Sequence, residues 1–199
     1  ASDIKHYREP RLMTKFDTSV TVAQPLRTNK LNILPNSRHS YVLGTFNPYE
    51  PFPDVTGIKP LAISLPAFET LRVDSLTSEA NAINALIASG TLEEFLGEEW
   101  LVETFNGRMG TDDFTFDVAM EDSEAFLNID VHAAQLEIDG GFESEHSVVI
   151  MEAKNVIHDD FNVRQLYFPY RKYLALVDKP IRLIFSQYTN LTYYLHEYE

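Results

Sequence analysis

The sequence contains no cysteine, which excludes disulfide frameworks, thiolate metal sites and cysteine nucleophiles and leaves Ser, carboxylate, His and Lys chemistry. No apolar run approaches the roughly 18 residues of a membrane span, and no charged-then-apolar export pattern opens the chain. A cytoplasmic location with no membrane partner is therefore expected. Glycine and proline are modest at 8 and 10 residues, and no internal repeat is visible, so collagen-like, low-complexity and disordered classes are excluded. Positive charge is scarce, 16 Lys and Arg against 30 Asp and Glu, and the resulting net charge of -14 opposes indiscriminate binding to polyanions. What remains is an ordinary globular composition, 44% hydrophobic over 199 residues, enough for one domain with a real core.

The acidity is not evenly spread. Residues 1–60 carry 8 Lys and Arg against 5 Asp and Glu, residues 161–199 carry 5 against 3, and residues 61–160 carry 3 against 22. Catalytic acids are expected in that middle stretch. Most of its carboxylates read as a solvated surface. A few that converge would hold a divalent cation.

Residues 1–60 read as an N-terminal extension of irregular structure and short strands, its basic residues an arm over an acidic ligand or simply exposed. Residues 61–199 read as the core. Leu61 to Leu65 predicts a short strand, and Thr77-Ser78-Glu79 opens a helix with Ala80, Ile83, Leu86 and Ile87 on one face. Thr91 to Gly97 predicts a second short helix whose apolar face continues through Trp100, Leu101 and Val102. Phe114 to Val118, Leu127 to Val131, Gln135 to Asp139 and Ser147 to Lys154 alternate with a period of two and read as strands of a mostly antiparallel sheet. Gly140-Gly141 and the polar run to His146 predict the turn between the last two. A helix over about 162–177, kinked near Pro169, and a hairpin of Ile181 to Phe185 with Leu191 to Tyr198 complete an α/β layer arrangement with a mixed sheet.

The chemistry concentrates in Gln135-Leu136-Glu137-Ile138-Asp139 and Val149-Ile150-Met151-Glu152-Ala153-Lys154. Paired as a hairpin, the first strand places Gln135, Glu137 and Asp139 on one face, and the second places Glu152 and Lys154 together. With a bound phosphodiester counted, Asp139, Glu152 and Lys154 leave two uncompensated negative charges. One Mg²⁺ neutralises them, and carboxylate oxygens are the ligands this ion prefers. An ion so placed polarises phosphoryl oxygens and activates water, while the Lys154 ammonium orients that water or offsets developing charge. The competing reading is a cross-strand salt bridge of about 1 kcal/mol or less.

Ile138-Asp139 followed by Glu152-Ala153-Lys154 resembles the PD-(D/E)xK nuclease superfamily, with Ile where that family has Pro, and within it the type II restriction endonucleases. The strings Leu101 to Arg108, Gln135 to Glu143 and Asn162 to Arg171 look like motif blocks of a restriction-endonuclease family. The resemblance implies a restriction-endonuclease-like core of order αβββαβ, a mixed central sheet flanked by helices, following the N-terminal extension. It implies catalytic roles for Asp139, Glu152, Lys154 and Gln165, with Mg²⁺ on Asp139, Glu152 and the Ala153 backbone carbonyl.

Glu137 and Glu103 are candidate additional acids, with Glu98 and Glu99 equivalent to Glu103 at this level. Arg108 and Arg164, with Arg38 and Lys30 of the extension, are candidate DNA contacts; each also reads as an ordinary surface charge. Arg164 and Gln165 open a helix whose N-terminus favours a phosphate. His158 reads as a loop residue, and Trp100 with the Tyr and Phe residues reads first as core. The expected activity is that of a Mg²⁺-dependent endodeoxyribonuclease, a type II restriction enzyme cutting double-stranded DNA as a homodimer. The alternatives are a repair or recombination nuclease of the same fold, and a non-catalytic acidic protein that mimics DNA or scaffolds partners.

Overall fold

In β8 (Val148–Lys154), Ile150 packs into one apolar cluster while Val149, Met151 and Ala153 pack into another. A strand buried on both faces belongs at the centre of a layered α/β fold. That is its place in the computed structural model, which describes residues 14–58, 60–72, 74, 76–121 and 123–199. The central sheet is mixed, with the order β11 (Thr192–Tyr198), β10 (Ile181–Thr189), β8, β7 (Gln135–Glu143), β4 (Val102–Gly110). β8 and β10 run parallel, joined through α4 (Arg164–Leu174), and the other neighbours are antiparallel. Leu166 and Phe168 of α4 pack with Ile138, Ile150 and Phe185 in the first cluster. The second cluster holds Ile83 and Leu86 of α2 (Glu79–Ala88) and Leu92 and Leu96 of α3 (Thr91–Leu96). Among the described residues no helix is long and apolar enough to cross a membrane.

The described part of the extension packs against the core. A short helix, α1 (Gln24–Thr28), leads into the hairpin β1 (Asn32–Pro35) and β2 (Tyr41–Gly44), and β3 (Tyr49–Pro51) pairs with β9 (Asp160–Asn162) beside α4. Leu34 and Phe46 are buried in the same cluster as Ile138 and Ile150. The alternating segments β5 (Phe114–Ala119) and β6 (Phe126–Val131) are strands as expected, but they form their own two-stranded sheet. The edge position beside β7 goes instead to β4, which opens where the sequence pattern continued a helical face. Its residues alternate in burial only weakly, and two register shifts interrupt its pairing with β7. Leu61 to Leu65 forms no strand: Leu61 is 60% exposed, and Pro60 and Pro66 bracket a run with no strand beside it among the described residues. Trp100, expected in the core, is 48% exposed.

The turn of the β7–β8 hairpin lies at Ser144–Ser147, and Gly140 and Gly141 run inside β7. The reason is steric. A Cβ on Gly141 would stand 2.2 Å from the Phe105 ring, which stacks on Tyr173 of α4 at 4.2 Å. Glycine there admits the aromatic side chain rather than bending the chain.

Candidate active site

The β7–β8 ladder runs from Glu143↔Val148 to Gly140↔Met151. Beyond it β8 keeps its partner β10, pairing Glu152 with Phe185 and Lys154 with Gln187. On the other side, the Asp139 carboxylate accepts the Ala153 N–H at 2.9 Å. A side chain thus replaces a main-chain partner where the strands part, and the gap is the floor of a cleft of about 350 Å³.

Alternation directs Glu152 toward the α4 side, where it is buried at 6% exposure. Its Oε1 accepts from Lys154 Nζ at 2.5 Å and from Gln165 Nε2. Lys154 also lies 3.9 Å from Asp139 Oδ2 and 3.6 Å from Glu79 Oε1, and it donates to the Ala153 carbonyl at 3.1 Å. Burial pushes the Glu152 carboxyl up to about 7; Lys154 opposes this rise and the neighbouring Asp139 adds to it. Burial alone would lower the Lys154 ammonium, but Glu152, Asp139 and Glu79 outweigh it and hold the group above its ordinary value. Lys154 is therefore charged at neutral pH. Gln165, the second residue of α4, is buried, and its Oε1 has no hydrogen-bond partner among the described residues.

The oxygen donors that meet here are the Asp139 and Glu152 carboxylates and the Ala153 carbonyl, with Glu79 on the far side of Lys154. Among the described residues no three His, Asp or Glu side chains are already grouped as a ligand set. Glu137 lines the same cleft and accepts from Arg108 Nε at 3.0 Å. Arg164 enters it from the first position of α4, 3.5 Å from Asp17, and Arg38 from the β1–β2 turn.

Two candidates fall outside. Glu103 accepts from Asn106 on exposed β4, and Lys30 follows α1; neither lines the cleft. Glu98 is likewise engaged elsewhere, accepting from Ser147 Oγ at 2.7 Å. His158 is a loop residue, as read, its N–H bonded to Gln187.

Glu79, Lys15 and Asp17 went unread as site residues. Glu79 had a local signal, as the first residue of a helix capped by Ser78, whose side chain accepts from the Asn81 N–H at 3.1 Å. Its proximity to Lys154 had none.

No curated protein and no solved structure matches this chain. Residues 1–43, which supply Lys15, Arg38 and the first wall of the cleft, match the family described as Domain of unknown function (DUF6996). Residues 44–199, which carry the whole central sheet with Asp139, Glu152, Lys154 and Gln165, match a second family, and the chain accordingly belongs to the family described as Domain of unknown function (DUF6997).

Proposed function

We propose that this protein is a Mg²⁺-dependent endodeoxyribonuclease of the PD-(D/E)xK type, acting as a restriction enzyme on double-stranded DNA in the cytoplasm, as a homodimer. The observation that supports this reading is the meeting of Asp139, Glu152 and Lys154 where β7 and β8 part, in a mixed sheet whose strands β4, β7, β8 and β10 follow α2 in the chain, with α3, the β5–β6 sheet, β9 and α4 between them. The cleft is far less acidic than the chain as a whole. Lys15, Arg38, Arg108, Lys154 and Arg164 line it against Glu79, Glu137, Asp139 and Glu152, in a protein of net charge -14. A polyanion meets less repulsion there than over the rest of the surface.

The donor set fits Mg²⁺, since two carboxylates and a carbonyl with water completing the shell are what this ion accepts. Asp139, Glu152 and the Ala153 carbonyl would hold it. When bound, it supplies charge to the phosphoryl oxygens and acidifies water. The chain's own residues do the rest. Lys154, held cationic by three carboxylates, orients the attacking water and offsets charge developing on the phosphoryl group. Gln165 fixes the Glu152 carboxylate by its N–H. Arg164, at the first position of α4, lines the cleft and supplies a guanidinium for a phosphate.

Digestion of plasmid and phage DNA with Mg²⁺ tests this, comparing the intact protein with Asp139→Ala, Glu152→Ala and Lys154→Ala. Discrete fragments, lost in all three variants, are expected. Non-specific degradation lost in the same variants would move the assignment to a repair or recombination nuclease. No cleavage, with no Mg²⁺ binding by calorimetry, would overturn the active-site assignment.

A further inference from the structure

We infer that Arg38 anchors a phosphate flanking the one that is cut, so that the N-terminal segment is the wall that grips an extended polynucleotide strand. This rests on the nuclease reading above. Four of the five cations in the cleft are committed: Lys154 to Glu152, Arg108 to Glu137, and both Lys15 and Arg164 to Asp17. Arg38 has neither an ion-pair nor a hydrogen-bond partner among the described residues, and it is exposed to the cleft. A guanidinium left unpaired beside a carboxylate-rich centre is available to an incoming anion, which it can take with two parallel hydrogen bonds.

The turn that presents Arg38 is tied down on both sides. Ser37 Oγ accepts the N–H groups of His39 and Ser40, each at 3.0 Å. The Asn36 carbonyl accepts from the His132 N–H at 2.8 Å, and the Asn36 side chain donates to the Asp130 carbonyl at 3.2 Å. Arg38 thus projects from an anchored support, which lowers the ordering cost of binding. Its position also sets which phosphate it meets. Nη2 lies 3.6 Å from where a Cβ on Gly110 would stand, and Gly110 pairs with Gln135. From Gln135 to Asp139 is four strand residues, roughly 13 Å. An anion on Arg38 is therefore a neighbour of the reacting phosphate, and the substrate spans more than one nucleotide.

The test compares the intact protein with Arg38→Ala and Arg38→Lys, with Mg²⁺ for cleavage of phage DNA and Ca²⁺ for equilibrium binding to duplex DNA at several salt concentrations. In Arg38→Ala, KM is expected to rise about tenfold with kcat held. The slope of log K against log salt should become shallower by about 0.9, the mark of one lost phosphate contact. Arg38→Lys should retain most of both. An unchanged KM and slope in Arg38→Ala overturns the proposal, and so does a fall in kcat at unchanged slope, which marks a structural role. An intact protein that neither cleaves nor binds DNA overturns the nuclease reading itself, an outcome separable from the other two.

Discussion

The two ends of the β7–β8 hairpin use the same residue types to opposite effect. At the turn end, Ser144 and Ser147 bond across the loop, Lys179 binds the Glu143 carboxylate at 2.6 Å and the Ser144 carbonyl at 2.7 Å, and Glu98 accepts from Ser147. At the open end, one ammonium faces three carboxylates, and the Gln165 oxygen has no partner among the described residues. Two glutamates make the contrast plain. The Glu98 and Glu152 side chains are almost equally covered, 7% and 8% exposed. The Ser147 hydroxyl holds Glu98 below the usual carboxylate range, whereas burial beside Asp139 drives Glu152 up to about 7. Similar surface coverage therefore does not mean similar depth: Glu152 is enclosed on all sides, whereas Glu98 sits near the surface beside a hydroxyl and Arg182. At the open end Lys154 and Gln165 both donate to Glu152 with Asp139 close by, whereas at the turn end Ser147 donates to Glu98 with Arg182 3.8 Å away.

The largest expected effect separates the two ends by function. Lys154→Met should lower cleavage by about a thousandfold while the far-UV circular dichroism spectrum is kept. Lys179→Met, which breaks the half-exposed pair at the turn, should leave cleavage alone and cost about 1 kcal/mol or less in denaturant unfolding. Equal losses of activity in both would erase the contrast. The next effect concerns the strand that joins the two ends. Gly141→Ala forces a methyl group into the Phe105 ring and should cost about 3 kcal/mol, read as a lower urea midpoint at unchanged slope. A neutral result would show that the ring can leave its stack on Tyr173.

The smallest effect, and the most diagnostic, is the pH dependence of metal-free stability. The folded pKa of Glu152 is raised, so the folded state holds its proton longer than the unfolded chain, and its contribution is lost as pH rises toward and through about 7. Glu98 is shifted the other way. Its contribution is present above the unfolded pKa and lost as pH falls through the lower folded one. Glu152→Gln should therefore flatten the decline of Tm between about pH 5 and 8, and Glu98→Gln the decline in acid. Identical Tm profiles in the two variants would contradict the opposed environments.

Much of this arrangement was legible before the fold. Period-two alternation identified β7 and β8 and put Glu152 beside Lys154 on one face, because a strand's facing depends only on residue parity. The misreadings share a cause. β4 was hidden by its register shifts and mostly exposed side chains, and Gly140-Gly141 looked like a turn because the Phe105 ring that demands glycine lies some 35 residues earlier. Leu61 to Leu65 had the pattern of a strand but no neighbour among the described residues to pair with, and alternation supplies no partner. Among candidate site residues, Glu137, Arg108, Arg164 and Arg38 share the cleft while Glu103 and Lys30 do not, and nothing local separates the two sets.

By itself, the sequence determined which side chains share a strand face, where the helices start, and that the acids crowd into the middle of the chain. Only the tertiary structure decided that β7 and β8 part beyond Gly140 and Met151, that Glu79 reaches Lys154, and that Asp17 and Arg38 come from the N-terminal segment to the same opening. Facing and capping are set by residues within a few positions of one another. Convergence is set by which distant segments bury each other's apolar surface, and that leaves no mark at any single position.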